Sequence, residues 1–184
     1  MSTPPPLFGV TGWKNSGKTT LVTRLITEFT RRGYRVNSVK HAHHAFDIDV
    51  PGTDSFRHRE AGASEVAVVS GARWALMHEL RDDDEPAMAD IVGRLSPADL
   101  VLVEGYKREN HPKIECRREA TMRDRPLSAS DLMIVAVAAD FEAETGGLPR
   151  FALDDIAAIA DFIAAQLALP APARQTADAA PQTA

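Results

Sequence analysis

The residues with the clearest chemical meaning form a glycine-rich segment near the amino terminus, from Gly12 to Thr19. Its order is a glycine, four further residues, Gly17, Lys18 and a hydroxyl residue, which is the order of a P-loop. In a P-loop the backbone N–H groups surround phosphate oxygens, the lysine bridges the terminal phosphates and the hydroxyl binds Mg²⁺. The pattern therefore predicts a nucleoside triphosphate site with Mg²⁺ at Thr19. The residues predicted to bind the nucleotide here are Gly12, Trp13, Lys14, Asn15, Ser16, Gly17, Lys18, Thr19 and Thr20.

Acidic residues at the ends of predicted strands are candidates for the magnesium site and for water activation. Glu104 lies near the end of a continuous aliphatic segment, 99–105, which is typical of a Walker B strand. Asp47 and Asp49 lie in the loop after another predicted strand, and such loops face the ligand in a parallel sheet. We therefore predict Thr19, Asp49 and Glu104 as metal-site residues, and Asp49 and Glu104 as catalytic residues.

Asp140 follows the last predicted core strand, 132–139, so it is a candidate for contacting the nucleotide base. The segment Asn-Lys-x-Asp is absent from the sequence, so these residues do not identify the base. Both acids have structural alternatives. Asp140 is equally compatible with a turn or cap residue, and Glu104 with an ion pair to Lys107 or Arg108.

Three histidines, His41, His43 and His44, follow the second predicted strand and raise the possibility of a transition-metal site. Such sites usually need further imidazole or thiolate ligands, and the single cysteine, Cys116, lies far along the chain. We therefore favour hydrogen bonding to a polar ligand, or solvated loop histidines. Cys116 is predicted to be buried as a small apolar side chain.

The elements that must position these residues alternate between strands and helices, which is the pattern of an α/β fold with a mostly parallel sheet flanked by helices. After Lys18 the apolar residues recur every three or four positions, so a helix is predicted up to a cap at Gly33. Strands are predicted at 7–11, 35–40, 99–105, 113–117 and 132–139, and further helices at 56–61, from Pro86 and at 154–167.

A β-hairpin is predicted between the second strand and the Walker B strand, appended to the parallel sheet. Its apolar segments, 64–70 and 73–79, are separated by a turn centred on Gly71. The apolar side chains of this hairpin would either complete the core or form an edge that pairs with a second copy of the chain.

Composition sets the class of protein. The 184 residues are 44% hydrophobic, enough for one substantial domain, predicted at 7–168 between disordered segments at 1–6 and 169–184. The net charge of −5 argues against nucleic-acid or membrane binding. Neither a secretory signal pattern nor a bilayer-length apolar segment is present, so we expect a cytoplasmic protein.

Several segments in this order resemble the molybdopterin-guanine dinucleotide biosynthesis protein B family. They are Gly12 to Leu21, Val39 to His44 (Val-Lys-His-Ala-His-His), Asp47 to Ser55 (Asp-Ile-Asp-Val-Pro-Gly-Thr-Asp-Ser), Arg73 to Met77 and Val103 to Lys107. The resemblance implies a P-loop fold, binding of GTP and Mg²⁺, slow GTP hydrolysis and a homodimer. It also implies an adaptor role, assisting the guanylyltransferase that joins GMP to molybdenum-bound molybdopterin. Guanine specificity rests on this resemblance alone.

Two other functions are compatible with the residues. One is a P-loop small-molecule kinase, with Asp49 or Glu104 as the base and an acceptor pocket. The other is a metal-insertion GTPase, in which His41, His43 and His44 bind a transition metal. Phosphorylation of a cofactor precursor would identify the first, and a metal titration would identify the second.

Overall fold

The secondary structure alternates as the sequence predicts. The structure is a computed structural model that describes residues 4–42, 46–121 and 125–172. The strands are β1 (Leu7–Thr11), β2 (Val36–Lys40), β3 (Glu65–Val69), β4 (Trp74–His78), β5 (Leu100–Glu104), β6 (Lys113–Arg117), β7 (Ile134–Ala139) and β8 (Arg150–Ala152). The helices are α1 (Lys18–Arg31), α2 (Asp54–Glu60), α3 (Met88–Gly93) and α4 (Ile156–Gln166), and 3-10 turns lie at Glu119–Thr121 and Leu127–Ala129.

Two compact units make up the chain. The first contains residues up to His41 and from Val92 onward, and the second is 42–91. In the first unit six strands form one sheet in the order β2-β5-β1-β6-β7-β8, and every neighbouring pair is parallel. The carboxyl end of β1 therefore lies between the ends of β5 and β6. This confirms the α/β fold class and puts the predicted Walker B strand directly beside the strand that leads into the P-loop.

The core of the first unit explains the continuous aliphatic strands. All of β5 is buried, as are four of the five residues of β1, because central strands of a parallel sheet are covered on both faces. Helices α1 and α4 contribute their apolar faces to the same core. Its largest apolar members are Phe8, Phe29, Leu21, Leu25, Leu100, Leu102, Ile114, Ile159 and Ile163.

The ends of α1 and α4 follow local sequence signals. Helix α1 ends as predicted, since Gly33 adopts a left-handed conformation with φ 93° directly after it. At the start of α4, Asp155 accepts a hydrogen bond from the Ala158 N–H at 3.2 Å. Arg32 at the end of α1 donates to Glu28 and to Asp161 of α4. This arginine therefore ties the two helices together on their exposed side.

Two features of the sheet differ from the predictions. Strand β7 begins at Ile134 rather than at Leu132, whose side chain is 90% exposed. Strand β8, a parallel edge strand of three residues beside β7, was not predicted. Three residues at an edge are too few to give a recognisable period. Residues 1–3 and 173–184 of the predicted disordered ends lie outside the described residues.

The second unit contains the predicted hairpin as a separate two-stranded antiparallel sheet, with Val69 opposite Trp74 at its turn end. Helix α2 precedes the hairpin and begins at Thr53, whose hydroxyl accepts the Phe56 N–H. Apolar side chains of the hairpin are exposed: Val69 at 74%, Trp74 at 70%, Val68 at 46% and Leu76 at 46%. They do not complete a core in the part of the chain that the structure describes.

Among the described residues, no helix combines the length and the apolar character needed to cross a membrane.

Candidate functional site

Three residues of the predicted P-loop have an unusual backbone conformation. Gly12, Asn15 and Gly17 all have positive φ, at 146°, 63° and 95°, and turns that contain such residues can form anion-binding concavities. At Gly12 a Cβ would lie 2.5 Å from Ser16 Oγ and 2.6 Å from the Cys116 carbonyl oxygen. Only glycine fits this position.

Lys18 folds back over the loop. Its ammonium donates to the carbonyl oxygens of Gly12 and Trp13, at 3.0 and 2.7 Å. Partial burial lowers the pKa of Lys18 below its ordinary value. The side chain is therefore held at the mouth of the loop, where a phosphate would replace carbonyl oxygens as its partner.

Polar atoms around the loop fit an anionic ligand. Ser16 Oγ and Thr11 Oγ1 are buried, and neither has a hydrogen-bond partner among the described residues. The same holds for Nε of Arg118, which lies against Gly17. Buried donors without partners are rare in folded proteins. A bound polyphosphate would supply acceptors for these donors and for the loop N–H groups.

Thr19 and Glu104, two of the three predicted metal-site residues, are in direct contact. The Thr19 hydroxyl donates to Glu104 Oε1 at 2.7 Å, and the Lys40 ammonium lies 3.3 Å from the same oxygen. The Glu104 side chain is largely buried. In a P-loop site, Mg²⁺ would be held by oxygen donors of this kind. Glu104 therefore pairs with Lys40 in this structure, not with the Lys107 or Arg108 considered from sequence.

Lys40 was not predicted as a partner of Glu104, although the register of the two strands indicates the contact. In the parallel register of β2 and β5, Lys40 lies opposite Glu104. Once two strands are known to be neighbours, residues at their carboxyl ends meet at one edge of the sheet. The neighbour relation itself depends on strand order, which the sequence did not give.

Trp13 links the P-loop to two other loops of the first unit. Its indole N–H donates to the Arg125 carbonyl oxygen at 3.0 Å, and the Lys107 ammonium lies 4.2 Å from the ring centroid, a cation–π contact. Lys14 and Asn15 are exposed. These contacts give Trp13 a role in fixing the loop, and they leave Lys14 open to solvent.

A cavity of about 650 Å³ opens beside the amino-terminal end of α1. Gly17 and Thr20 line it together with Asp140, so these residues lie around one cavity, and the role of Asp140 in nucleotide binding stays a prediction. Asp140 also accepts the Glu119 N–H at 2.9 Å through Oδ1, as expected for a capping residue. Other lining residues were missed from the sequence: Arg24, Arg118, Phe141, Glu142 and Arg150. They come from three separate segments of the chain, so no local motif unites them.

Asp49, the third predicted metal-site residue, belongs to the second unit. Its Oδ1 accepts from the Ser55 hydroxyl at 2.8 Å and from the Thr53 hydroxyl at 3.1 Å. Arg59 lies between Asp49 Oδ2 at 3.4 Å and Asp47 Oδ2 at 2.8 Å. In this structure Asp49 organises the start of α2. Its role at Mg²⁺ or in catalysis stays a prediction.

The histidine segment is only partly described. His41 donates its backbone N–H to the Glu104 carbonyl oxygen at 2.9 Å, and its ring lies 4.7 Å from that of Tyr106. His43 and His44 lie outside the described residues. Within the described part of the chain, no three His, Cys, Asp or Glu side chains are grouped to hold a metal ion. Cys116 is buried as predicted, and burial raises its thiol pKa to about 12.

Comparison with known proteins gives a consistent result. The family model for molybdopterin guanine dinucleotide synthesis protein B, MobB, matches residues 7–140, a range that includes every site residue discussed from Gly12 to Asp140. A molybdopterin-guanine dinucleotide biosynthesis adapter protein of Escherichia coli (strain K12) is 37% identical over 160 residues, covering 86% of this chain and 91% of the relative. One of Haemophilus influenzae is 41% identical over 163 residues, covering 86% and 87%.

A solved structure gives the same assignment at the level of the fold. The crystal structure of a MobB protein homolog from Bacillus stearothermophilus matches with a TM-score of 0.64 and 28% sequence identity. The match covers 89% of this chain and 99% of that chain.

Proposed function

The chain belongs to the molybdopterin guanine dinucleotide synthesis protein B family, and from that premise we propose that it is a GTP-binding adaptor in molybdopterin guanine dinucleotide biosynthesis. In this role it binds GTP with Mg²⁺, hydrolyses it slowly, and assists the guanylyltransferase that joins GMP to the molybdopterin cofactor. The observation that supports nucleotide binding is the glycine-rich loop, in which Gly12, Asn15 and Gly17 have positive φ and Lys18 folds back over the loop, beside the Thr19–Glu104 pair.

In this proposal the P-loop binds the phosphates, and Thr19 and Glu104 bind magnesium. Lys18 moves its hydrogen bonds from the Gly12 and Trp13 carbonyl oxygens to the β- and γ-phosphates. Thr19 and Glu104 would hold Mg²⁺ through their oxygen atoms. Bound there, Mg²⁺ would supply positive charge that neutralises the phosphates. Lys40, beside Glu104, balances the carboxylate when the cation is absent.

The cavity beside α1 is the place for the nucleoside. Its lining includes Gly17, Thr20 and Asp140. Asp140 accepts a hydrogen bond from the Glu119 N–H through Oδ1. In this proposal the other oxygen, Oδ2, accepts from the ring N–H and amino groups of guanine. The preference for guanine over adenine comes from family membership.

Slow hydrolysis is consistent with the surroundings of Glu104. Its Oε1 accepts the Thr19 hydroxyl and contacts Lys40. Both interactions engage the same carboxylate oxygen, so in this structure that oxygen is not free to accept a proton from a water molecule. An adaptor that keeps GTP bound needs no rapid turnover.

A second copy of the chain is the proposed partner of the hairpin. Val69 and Trp74 form a cross-strand pair and are exposed at 74% and 70%. Exposed apolar strands are a liability unless they are covered, and a two-fold symmetric contact would cover both hairpins at once. The resulting homodimer would carry two nucleotide sites.

Reconstitution with the purified guanylyltransferase tests the adaptor role. The assay measures the dinucleotide cofactor formed from GTP and molybdenum-bound molybdopterin, with wild-type protein, with Lys18→Ala, or with neither. We expect the wild type to raise the yield and Lys18→Ala to leave it near the level without adaptor. Equal yields in all three reactions would contradict the proposal.

A further inference from the structure

We propose that Arg118 binds the nucleotide at its nucleoside end, with the guanidinium on the α-phosphate. This inference deepens the proposed function and rests on it. Neither the P-loop pattern nor the Walker B strand includes Arg118, which follows β6 in the chain.

The first observation is the contact between Arg118 and the P-loop. A Cβ placed on Gly17 would lie 3.0 Å from Arg118 Nε and 3.3 Å from Nη2. The guanidinium therefore packs directly against the bare Cα of Gly17. Gly17 precedes α1, so the positive group lies at the end of the helix where free N–H groups already favour an anion.

The second observation is an unused donor. Nε of Arg118 is buried, and it has no hydrogen-bond partner in the described part of the chain. Leaving a buried charged donor without an acceptor costs free energy unless a ligand completes it. Arg150, which lines the same cavity, is different, because it donates to Glu142 Oε1 and to the Phe141 carbonyl oxygen.

The third observation is that the backbone on both sides of Arg118 is fixed. Arg117 is buried and donates to Glu115, to Ser128 and to the Glu144 carbonyl oxygen. On the other side the Glu119 N–H donates to Asp140. The backbone that carries Arg118 therefore loses little further freedom on binding a ligand. Such preorganisation suits a binding residue.

The position along the nucleotide follows from the neighbours of Arg118. It lines the cavity with Gly17, Thr20 and Asp140, whereas Lys18, Thr19 and Glu104 are not among the lining residues. Lys18 reaches the β- and γ-phosphates and the P-loop threonine binds Mg²⁺. Arg118 is therefore on the side of the loop that faces the α-phosphate and the sugar, away from the γ-phosphate where a hydrolytic arginine would act.

Binding measurements on GTP, GDP and GMP test this position. Affinities are compared for wild type, Arg118→Gln, Arg118→Lys and Arg94→Gln, with GMP measured by competition against bound GDP. Arg94 is an exposed arginine outside the cavity lining, so Arg94→Gln controls for the loss of one positive charge.

We expect Arg118→Gln to weaken all three ligands by a similar factor, about tenfold or more, because one charge-assisted contact common to all three is lost. Arg118→Lys should recover part of the loss, since it keeps the charge without the planar fork. Arg94→Gln should match the wild type. If circular dichroism shows Arg118→Gln to be unfolded, Arg118→Lys takes its place, with a smaller but equal loss for all three ligands.

Two results would overturn the inference while leaving the proposed function intact. One is unchanged affinity of the Arg118 variant for all three ligands. The other is a loss confined to GTP, which would place the guanidinium at the γ-phosphate. Failure of the wild type to bind any of the three would instead refute the proposed function, and with it this inference.

Discussion

At the scale of single residues, the candidate site combines a local glycine-rich loop with Lys40 and Arg118, which come from distant parts of the chain. The loop is local in sequence, so Gly12, Lys18 and Thr19 could be assigned roles from spacing alone. Lys40 and Arg118 reach the same site from other strands. Finding them requires the strand order, which is a property of the whole sheet and leaves no local pattern.

We expect a substitution at Glu104 to affect GTP hydrolysis more than GTP binding. We expect Glu104→Gln to retain GTP binding, because the amide keeps the volume and still accepts from Thr19, and to lower hydrolysis, because the charge near Mg²⁺ and the attacking water is lost. Calorimetry and single-turnover hydrolysis measure the two properties separately. A variant that hydrolyses GTP at the wild-type rate would assign Glu104 a structural role.

We expect His111 to make the stability of the fold depend on pH. It is buried, its two ring nitrogens have no partner among the described residues, and burial lowers its pKa to about 4 from 6.5. The unfolded chain binds this proton more readily, so stability is full above pH 6.5 and is lost as the pH falls toward 4. The loss from this group approaches about 3 kcal/mol.

Urea unfolding between neutral pH and pH 4 measures this effect. His111→Phe keeps a ring of similar size and cannot titrate, so its stability should fall less over the same range than that of the wild type. Carboxylates contribute equally to both proteins, which makes the difference specific to His111. Parallel curves for the two proteins would contradict the lowered pKa.

At the scale of elements, the position of β6 was predicted correctly, but the burial of its charged side chains was not. Alternate residues of this strand, Lys113, Glu115 and Arg117, are buried and charged. Lys113 donates to Asp131, and Glu115 accepts from Arg117 and from the backbone N–H groups of Leu127 and Ser128. Charged residues in a strand usually indicate an exposed face. Here they hold the loop that follows Arg118, and the sequence does not distinguish the two cases.

We expect Glu115→Gln to destabilise the fold by about 3 kcal/mol, because it leaves the buried Arg117 without its carboxylate. Denaturant unfolding of this variant against Glu119→Gln is the measurement. Glu119 is exposed, so its variant makes the same chemical change outside the buried network and should unfold close to the wild type. Equal stability of the two variants would mean that the Glu115–Arg117 pair contributes nothing.

At the scale of the whole molecule, the order of the helices and of the strands up to β7 was predictable from the apolar periods of these elements, whereas the short strand β8 was not. The hairpin was located from its two apolar segments and its glycine turn. Its environment was not predictable, since exposure of Val69 and Trp74 depends on what packs on the hairpin. An apolar strand looks the same in sequence whether it faces a core or a second chain.

We expect the protein to be a dimer at micromolar concentration and Val69→Glu to weaken association more than folding. Burying an unpaired carboxylate in the interface is costly, whereas Val69 is exposed within one chain. Sedimentation measures association, and Leu132→Glu, at an exposed apolar residue of the first unit, is the control. A monomeric wild type would contradict the homodimer, and an unfolded Val69→Glu would show that Val69 is needed for the fold.

The most direct test of the nucleotide-binding account is calorimetry of GTP and ATP binding to the wild type and Lys18→Ala, each with and without Mg²⁺. We predict that the wild type binds GTP more tightly than ATP and more tightly with Mg²⁺. Lys18→Ala should lose triphosphate binding while its circular dichroism is unchanged, because the substitution removes a cation from the phosphates and no buried apolar group. Equal GTP affinity in the wild type and Lys18→Ala, or no binding by the wild type, would contradict the account.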